Sequence, residues 1–163
     1  MALGSAGLHA QGINDARIAS IVVTANQVDI DAGKLAEATS KNPDVKAFGR
    51  LMVEAHTGVN KSAVELVTRL NVTPEDNDTS RSLKAGGAEN VAALKELKGA
   101  AFDKAYVDHE VAYHQQVLDA IDKTLIPSAS NAELKALLVK VRPAFVSHLE
   151  HAKQLQAALA KKG

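Results

Sequence analysis

Five side chains able to bind a cation stand at helical spacing on otherwise apolar stretches of this sequence: Asp29, His56, Glu110, His114 and His148. Asp29 follows Ala25 by four residues and precedes Ala32 by three, while His56 follows Met52 by four and precedes Val59 by three. Glu110 and His114 are four apart, so they lie one above the other on one helix face. Neutral imidazole nitrogen together with carboxylate oxygen suits a divalent ion of hard to borderline character. Zinc is the expected ion, with copper and nickel as alternatives. An ionisable group buried alone costs several kcal/mol, roughly. These residues must therefore hold an ion or satisfy one another, and the competing expectation is a hydrogen-bonded polar core that only fixes helix register.

The remaining polar candidates have weaker claims. His151 is three after His148, a spacing that allows two ligands from one helix, but it falls at the edge of the stripe and reads as solvated. His109 points away from Glu110 and His114, which suits the surface or a supporting role. His9 lies in the N-terminal leader. Tyr106 and Tyr113 flank Glu110 and read as core packing, and Asp31 and Glu54 fall on a solvated face. The di-iron carboxylate pattern needs Glu-x-x-His on each of two helices. The chain has no such tetrad, so oxidase or ferroxidase chemistry is disfavoured and a single ion with His-rich ligation is expected. No nucleophilic triad, phosphate-cradling glycine loop or zinc-protease motif is present, so binding is expected rather than catalysis.

The elements that must position these residues follow from periodicity. Helix one is expected from Asn14 or Asp15 to Ser40, with Ile18, Ile21, Val22, Ala25, Val28, Ala32, Leu35 and Ala36 three and four apart. The turn KNPD ends it, because the residue before a proline avoids the helical region and Pro43 suits the first turn of the next helix. Helix two is expected from about Asp44 to Leu70, and NVTPEDNDTS then has loop composition. A short helix beginning near Thr79 or Ser80 is expected to end by Gly86-Gly87, since paired glycines are poor in a helix interior. A second helical stretch from Ala88 to Leu97 would follow. Helix three, FDKAYVDHEVAYHQQVLDAIDKTL, should be broken by Pro127, and helix four should run from Ala132 to Ala160 with a kink at Pro143.

Two pairs of long helices, each joined by a short turn, predict an all-α antiparallel four-helix bundle with an extra short helical crossover between helices two and three, an arrangement open to the ferritin-like topology. Counting from the turns puts the candidates at one height. Asp29 is thirteen residues before Asn42 and His56 fourteen after it, while Glu110 is sixteen before Ile126 and His148 seventeen after Asn131.

At 163 residues the chain has the size of one domain, with 46% hydrophobic but only 3% aromatic residues, so its core rests on Ala, Leu and Val. Nineteen basic residues balance nineteen acidic ones, which argues against a nucleic-acid partner. Without Cys, any metal site must be built from His, Asp and Glu. No apolar run approaches the ~20 residues of a membrane span. MALGSAGLHAQG, residues 1–12, is small, apolar and glycine-rich, and reads as the remnant of an export signal or a disordered N-terminus ahead of a bundle over 13–163.

Taken together, the run NQVDIDAGKLAEATSKNPDVKAFGRLMVEAHTGVNKSA, then GAAFDKAYVDHEVAYHQQVLDAI and LLVKVRPAFVSHLEHAKQL, resembles the bacterial family known as domain of unknown function 4142. The most specific parts are Gly33-Lys34-Leu35-Ala36, Val45-Lys46-Ala47-Phe48, His56, Phe102-Asp103 with Tyr106, His114-Gln115, and Pro143 with His148. The resemblance implies a ferritin-like bundle exported to the periplasm or cell envelope, and it carries family positions over to His56, His114 and His148. Where the family commonly has Glu in helix one this chain has Asp29, a carboxylate one methylene shorter. A homo-oligomer or an envelope partner stays open at this stage.

Overall fold

The computed structural model describes residues 12–162, and every regular element among them is helical. The leader reading and His9 therefore lie outside the described residues, apart from Gly12. In chain order the elements are α1 (Asp15–Thr39), α2 (Pro43–Arg69), α3 (Asp78–Lys95), α4 (Gly99–Ala120), α5 (Ile126–Ser128) and α6 (Ala132–Ala160), with a π-helical turn at Ile121–Leu125 joining α4 to α5.

Asparagine starts four of these helices. The Asn14 side chain accepts from the Arg17 N–H, Asn42 from those of Asp44 and Val45, and Asn131 from those of Glu133 and Leu134. Asn77 and Ser80 satisfy each other's backbone N–H groups in a capping box that opens α3. Pro43 occupies the first turn of α2, as the sequence predicts.

α1 and α2 form an antiparallel hairpin in which Asn26 meets Asn60, Asp29 meets His56 and Gly33 meets Gly49. The approach is closest at the glycines. A Cβ on Gly33 would stand 2.7 Å from the Gly49 carbonyl oxygen, and one on Gly49 2.8 Å from that of Gly33. This contact sits one turn from Asp29 and clamps the two backbones that carry Asp29 and His56. α4 and α6 form a second antiparallel pair, recorded by Asp108 with Gln156 and His114 with His148, and continued from the π turn by Asp122 with Arg142. The hairpins face each other, with Ser40 Oγ donating to Asp103 Oδ1 at 2.6 Å and Tyr113 Oη donating to the Ala25 carbonyl at 2.9 Å.

The crossover departs from expectation. α3 is one continuous helix of 18 residues that runs through Gly86 and Gly87. Tertiary packing overrides the helix-breaking tendency of glycine here, because a Cβ on Gly87 would meet the Val28 side chain at 2.7 Å, so only glycine lets α3 lie this close to α1. Pro127 likewise does not end its helix at once. The chain widens into the π turn at Ile121–Leu125, and helical structure persists to Ser128. The widened turn contains Lys123, whose carbonyl an undistorted helix would press against the Pro127 ring. α6 passes through Pro143 and keeps its predicted limits.

The apolar interior divides into two clusters. One gathers Ile18, Ile21, Val117, Ile121, Leu134 and Leu138 near the start of α1, and the other gathers Phe48, Met52, Phe102, Tyr106, Val107 and Leu155 near its end. Each large side chain so buried contributes about 1.5–3 kcal/mol. Between the clusters, at mid-height on all four long helices, the interior turns polar.

Candidate metal centre

The polar layer contains all five residues singled out by spacing. Glu110 and His114 are 0% exposed, Asp29 and His56 1%, and His148 7%. Asp29 projects from α1, His56 from α2, Glu110 and His114 from α4, and His148 from α6, so every long helix supplies a donor. The imidazoles form a nearly regular triangle, with ring centroids 5.7 Å apart for His56–His114, 5.2 Å for His56–His148 and 5.6 Å for His114–His148. Phe145 packs against all three rings, 5.1 Å from His56, 6.0 Å from His114 and 6.5 Å from His148.

Asp29 Oδ2 lies 3.1 Å from His56 Nε2 and 3.7 Å from His114 Nε2. The shorter carboxylate thus reaches the imidazoles. Donor atoms of His56, His114 and His148 lie within 4.8 Å of one another, and so do those of Asp29, Glu110 and His114. A tetrahedral ion with bonds of about 2.0–2.1 Å needs ligand atoms roughly 3.3–3.4 Å apart. The two Asp29 distances bracket that edge.

Hydrogen bonds on the far side of the rings set their orientation. His114 Nδ1 is 3.0 Å from the Glu110 backbone carbonyl, which can only accept, so Nδ1 carries the proton and the Nε2 lone pair turns inward. His56 Nδ1 is 2.8 Å from Asn26 Oδ1. Asn26 is fully buried and escaped the reading of the sequence, although it lies three residues before Asp29 on the same side of α1. Polar residues at core spacing were the signal that would have found it.

Oδ1 and Oδ2 of Asp29, Oε1 and Oε2 of Glu110, Nε2 of His56 and of His114, and Nδ1 of His148 make no hydrogen bond of good geometry, although Asp29 Oδ2 stands 3.1 Å from His56 Nε2 and Glu110 Oε2 3.3 Å from His114 Nδ1. The buried Tyr106 hydroxyl also makes none. Burial holds the Glu110 carboxyl up at about 8 and raises Asp29 well above the usual carboxylate range, where the Glu110 charge adds to the effect. Burial pushes His56 down to about 2, helped by His114 and His148, and His148 down to about 4, helped by His114 and His151. Without an ion Asp29 and Glu110 are therefore held as neutral acids and His56 and His148 as neutral imidazoles.

The weaker candidates lie elsewhere. His151 packs edge-on against Phe48 at 5.0 Å and is half-buried, not fully solvated as its edge position implied. His109 stacks on Tyr113 at 5.6 Å, and Asp31 and Glu54 are exposed. Tyr106 stacks on Phe102 at 6.3 Å, as core packing requires, and burial, then the Glu110 and Asp29 charges, hold its hydroxyl well above its ordinary range.

The model of the family described as domain of unknown function (DUF4142) matches residues 2–155, and the chain belongs to that family. No curated protein and no solved structure matches it.

Proposed function

We propose that this member of the DUF4142 family binds one divalent cation in its core through His56, His114, His148 and Asp29, with Glu110 as the second carboxylate. Zinc is the preferred ion, and copper and nickel are the alternatives. The observation that carries the reading is that buried donor atoms from four helices form two overlapping triads, His56–His114–His148 and Asp29–Glu110–His114, joined at His114. Native interiors seldom leave polar atoms unsatisfied, and a cluster of them calls for a ligand that satisfies all at once. Charge agrees: a divalent ion, two carboxylates and three neutral imidazoles sum to zero, the condition a dry interior favours. The ion would hold the helices together, and the role this supports is sequestering, sensing or carrying it.

A hydrogen-bonded core is the second reading. It is favoured by the 3.1 Å between Asp29 Oδ2 and His56 Nε2, since a protonated Asp29 would donate to that lone pair. Elemental analysis of protein purified without a histidine tag, with melts in zinc and in chelator, separates the two. The metal reading expects about one ion per chain and a higher melting temperature with zinc. Identical melts in zinc, copper, nickel and chelator would leave the hydrogen-bonded core.

We assign the long helices α1, α2, α4 and α6 to a ferritin-like four-helix bundle, on the two facing hairpins and the long crossover. Among the described residues no helix is long and apolar enough to cross a membrane. Periplasmic or envelope location is proposed on the family resemblance. Cell fractionation tests it, and recovery only from the cytosol would reject it.

A further inference from the structure

Beyond the donor atoms themselves, a chain of amides leads outward from the site. His56 Nδ1 is 2.8 Å from Asn26 Oδ1, Asn26 Nδ2 donates to Asn60 Oδ1 at 2.9 Å, and Asn60 Nδ2 donates to the Val23 carbonyl at 3.2 Å. The last acceptor fixes the direction of every bond before it. A backbone carbonyl can only accept, so the Asn60 amide must turn its NH2 group toward Val23 and its oxygen toward Asn26. Asn26 must then present NH2 to Asn60 and oxygen to His56. An oxygen facing Nδ1 requires the proton on Nδ1, which leaves the lone pair on Nε2, the atom beside Asp29.

We propose that Asn26 and Asn60 are positioning residues that hold His56 as its Nδ1–H tautomer before any ion arrives, so that Nε2 alone is available as a ligand. Asn26 is 0% exposed and Asn60 half-buried, so the chain runs from the core toward the surface of α2, anchored on the α1 backbone at Val23. His114 is set the same way by a different device, the Glu110 carbonyl one turn earlier on its own helix. An amide at position 26 differs from the carboxylate that often backs a ligating histidine. It orients the ring without adding a third negative charge to a site that two carboxylates already neutralise for a divalent ion. The ligand role rests on the proposed function, whereas the tautomer is a property of the ion-free protein and is testable without it.

The test reads ring-nitrogen chemical shifts by NMR in ion-free protein at neutral pH, together with zinc affinity. The wild type should show His56 protonated on Nδ1. Asn26→Leu should convert it to a mixture or to Nε2–H, and Asn26→Asp, which keeps the acceptor, should retain Nδ1–H. Asp29→Ala discriminates the competing cause, because a protonated Asp29 could set the same tautomer from the other side of the ring. Retention of Nδ1–H in Asp29→Ala supports Asn26, whereas its loss there with retention in Asn26→Leu overturns the proposal. Should Asn26→Leu not fold, Asn60→Ala frees the Asn26 amide to rotate, and an unchanged His56 tautomer in that variant would overturn the proposal equally. With zinc, Asn26→Leu should weaken affinity about 10–100-fold. An unchanged affinity beside a wild type that binds zinc rejects the positioning role, whereas failure of the wild type to bind rejects the metal reading and leaves the tautomer result standing.

Discussion

At the scale of single residues, burial makes the candidate donors unequal in how cleanly they can be tested. His148 is the most exposed of the three imidazoles, so its loss should disturb the fold least. His148→Ala should weaken zinc binding by more than the roughly 10–100-fold typical of a residue that only supports a ligand, while circular dichroism stays helical. Titration calorimetry checks this, and wild-type affinity in the variant would remove His148 from the site. These buried polar residues were legible in the sequence because a charged or imidazole side chain on an apolar helical stripe breaks a pattern. The height count from each turn also brought Asp29 level with His56, which stand 3.1 Å apart. Asn26 was missed because asparagine is common on solvated helix faces. Only the neighbouring helix reveals that it is buried against His56 and Asn60.

At the scale of elements, close backbone approaches set where the donors stand. Gly33→Ala would force a methyl into the Gly49 carbonyl, so it should destabilise by about 1–3 kcal/mol. Gly58 has open space around its would-be Cβ on an exposed stretch of the same helix pair. Gly58→Ala should therefore stabilise by about 0.5–1 kcal/mol. Paired denaturant melts test the contrast, and equal effects would show that the α1–α2 contact is not tight. Helix limits were readable wherever a cap chemistry announced them, as at Asn42-Pro43 and Asn131. Gly86-Gly87 was misread as a stop because local propensity was the only information, and the reason for glycine at 87 is the Val28 side chain on α1. The π turn before Pro127 was equally invisible, since a one-residue widening of the helix leaves no mark on hydrophobic period.

At the scale of the whole molecule, four of the five ionisable groups between the two apolar clusters, Asp29, Glu110, His56 and His148, couple stability to pH. In the ion-free protein Asp29 and Glu110 keep protons that the unfolded chain releases. Glu110 therefore contributes stability that is full below its ordinary 4.5 and is lost as pH rises through about 8. His56 and His148 stay neutral where the unfolded chain protonates. Their contribution is full above the ordinary 6.5 and is lost as pH falls toward about 4 for His148 and about 2 for His56. The melting temperature of the ion-free protein should accordingly be highest between about 4.5 and 6.5 and fall on both sides. Zinc should flatten the alkaline limb, because binding displaces the carboxyl protons and the bound form holds carboxylates. Melts across pH with and without zinc check both limbs, and parallel curves would contradict the linkage. Zinc at a free concentration 100 times its dissociation constant adds about 2.7 kcal/mol, which for a chain of this length raises the melting temperature by roughly 5–11 °C.

The most direct test of the central claim is the zinc K-edge X-ray absorption spectrum of the full chain loaded with one equivalent of zinc and passed through a desalting column. Retained zinc with four light ligands at about 2.0–2.1 Å and the multiple-scattering pattern of three imidazoles is the expected result. Loss of zinc on the column, or a six-coordinate oxygen shell without imidazole scattering, would contradict it.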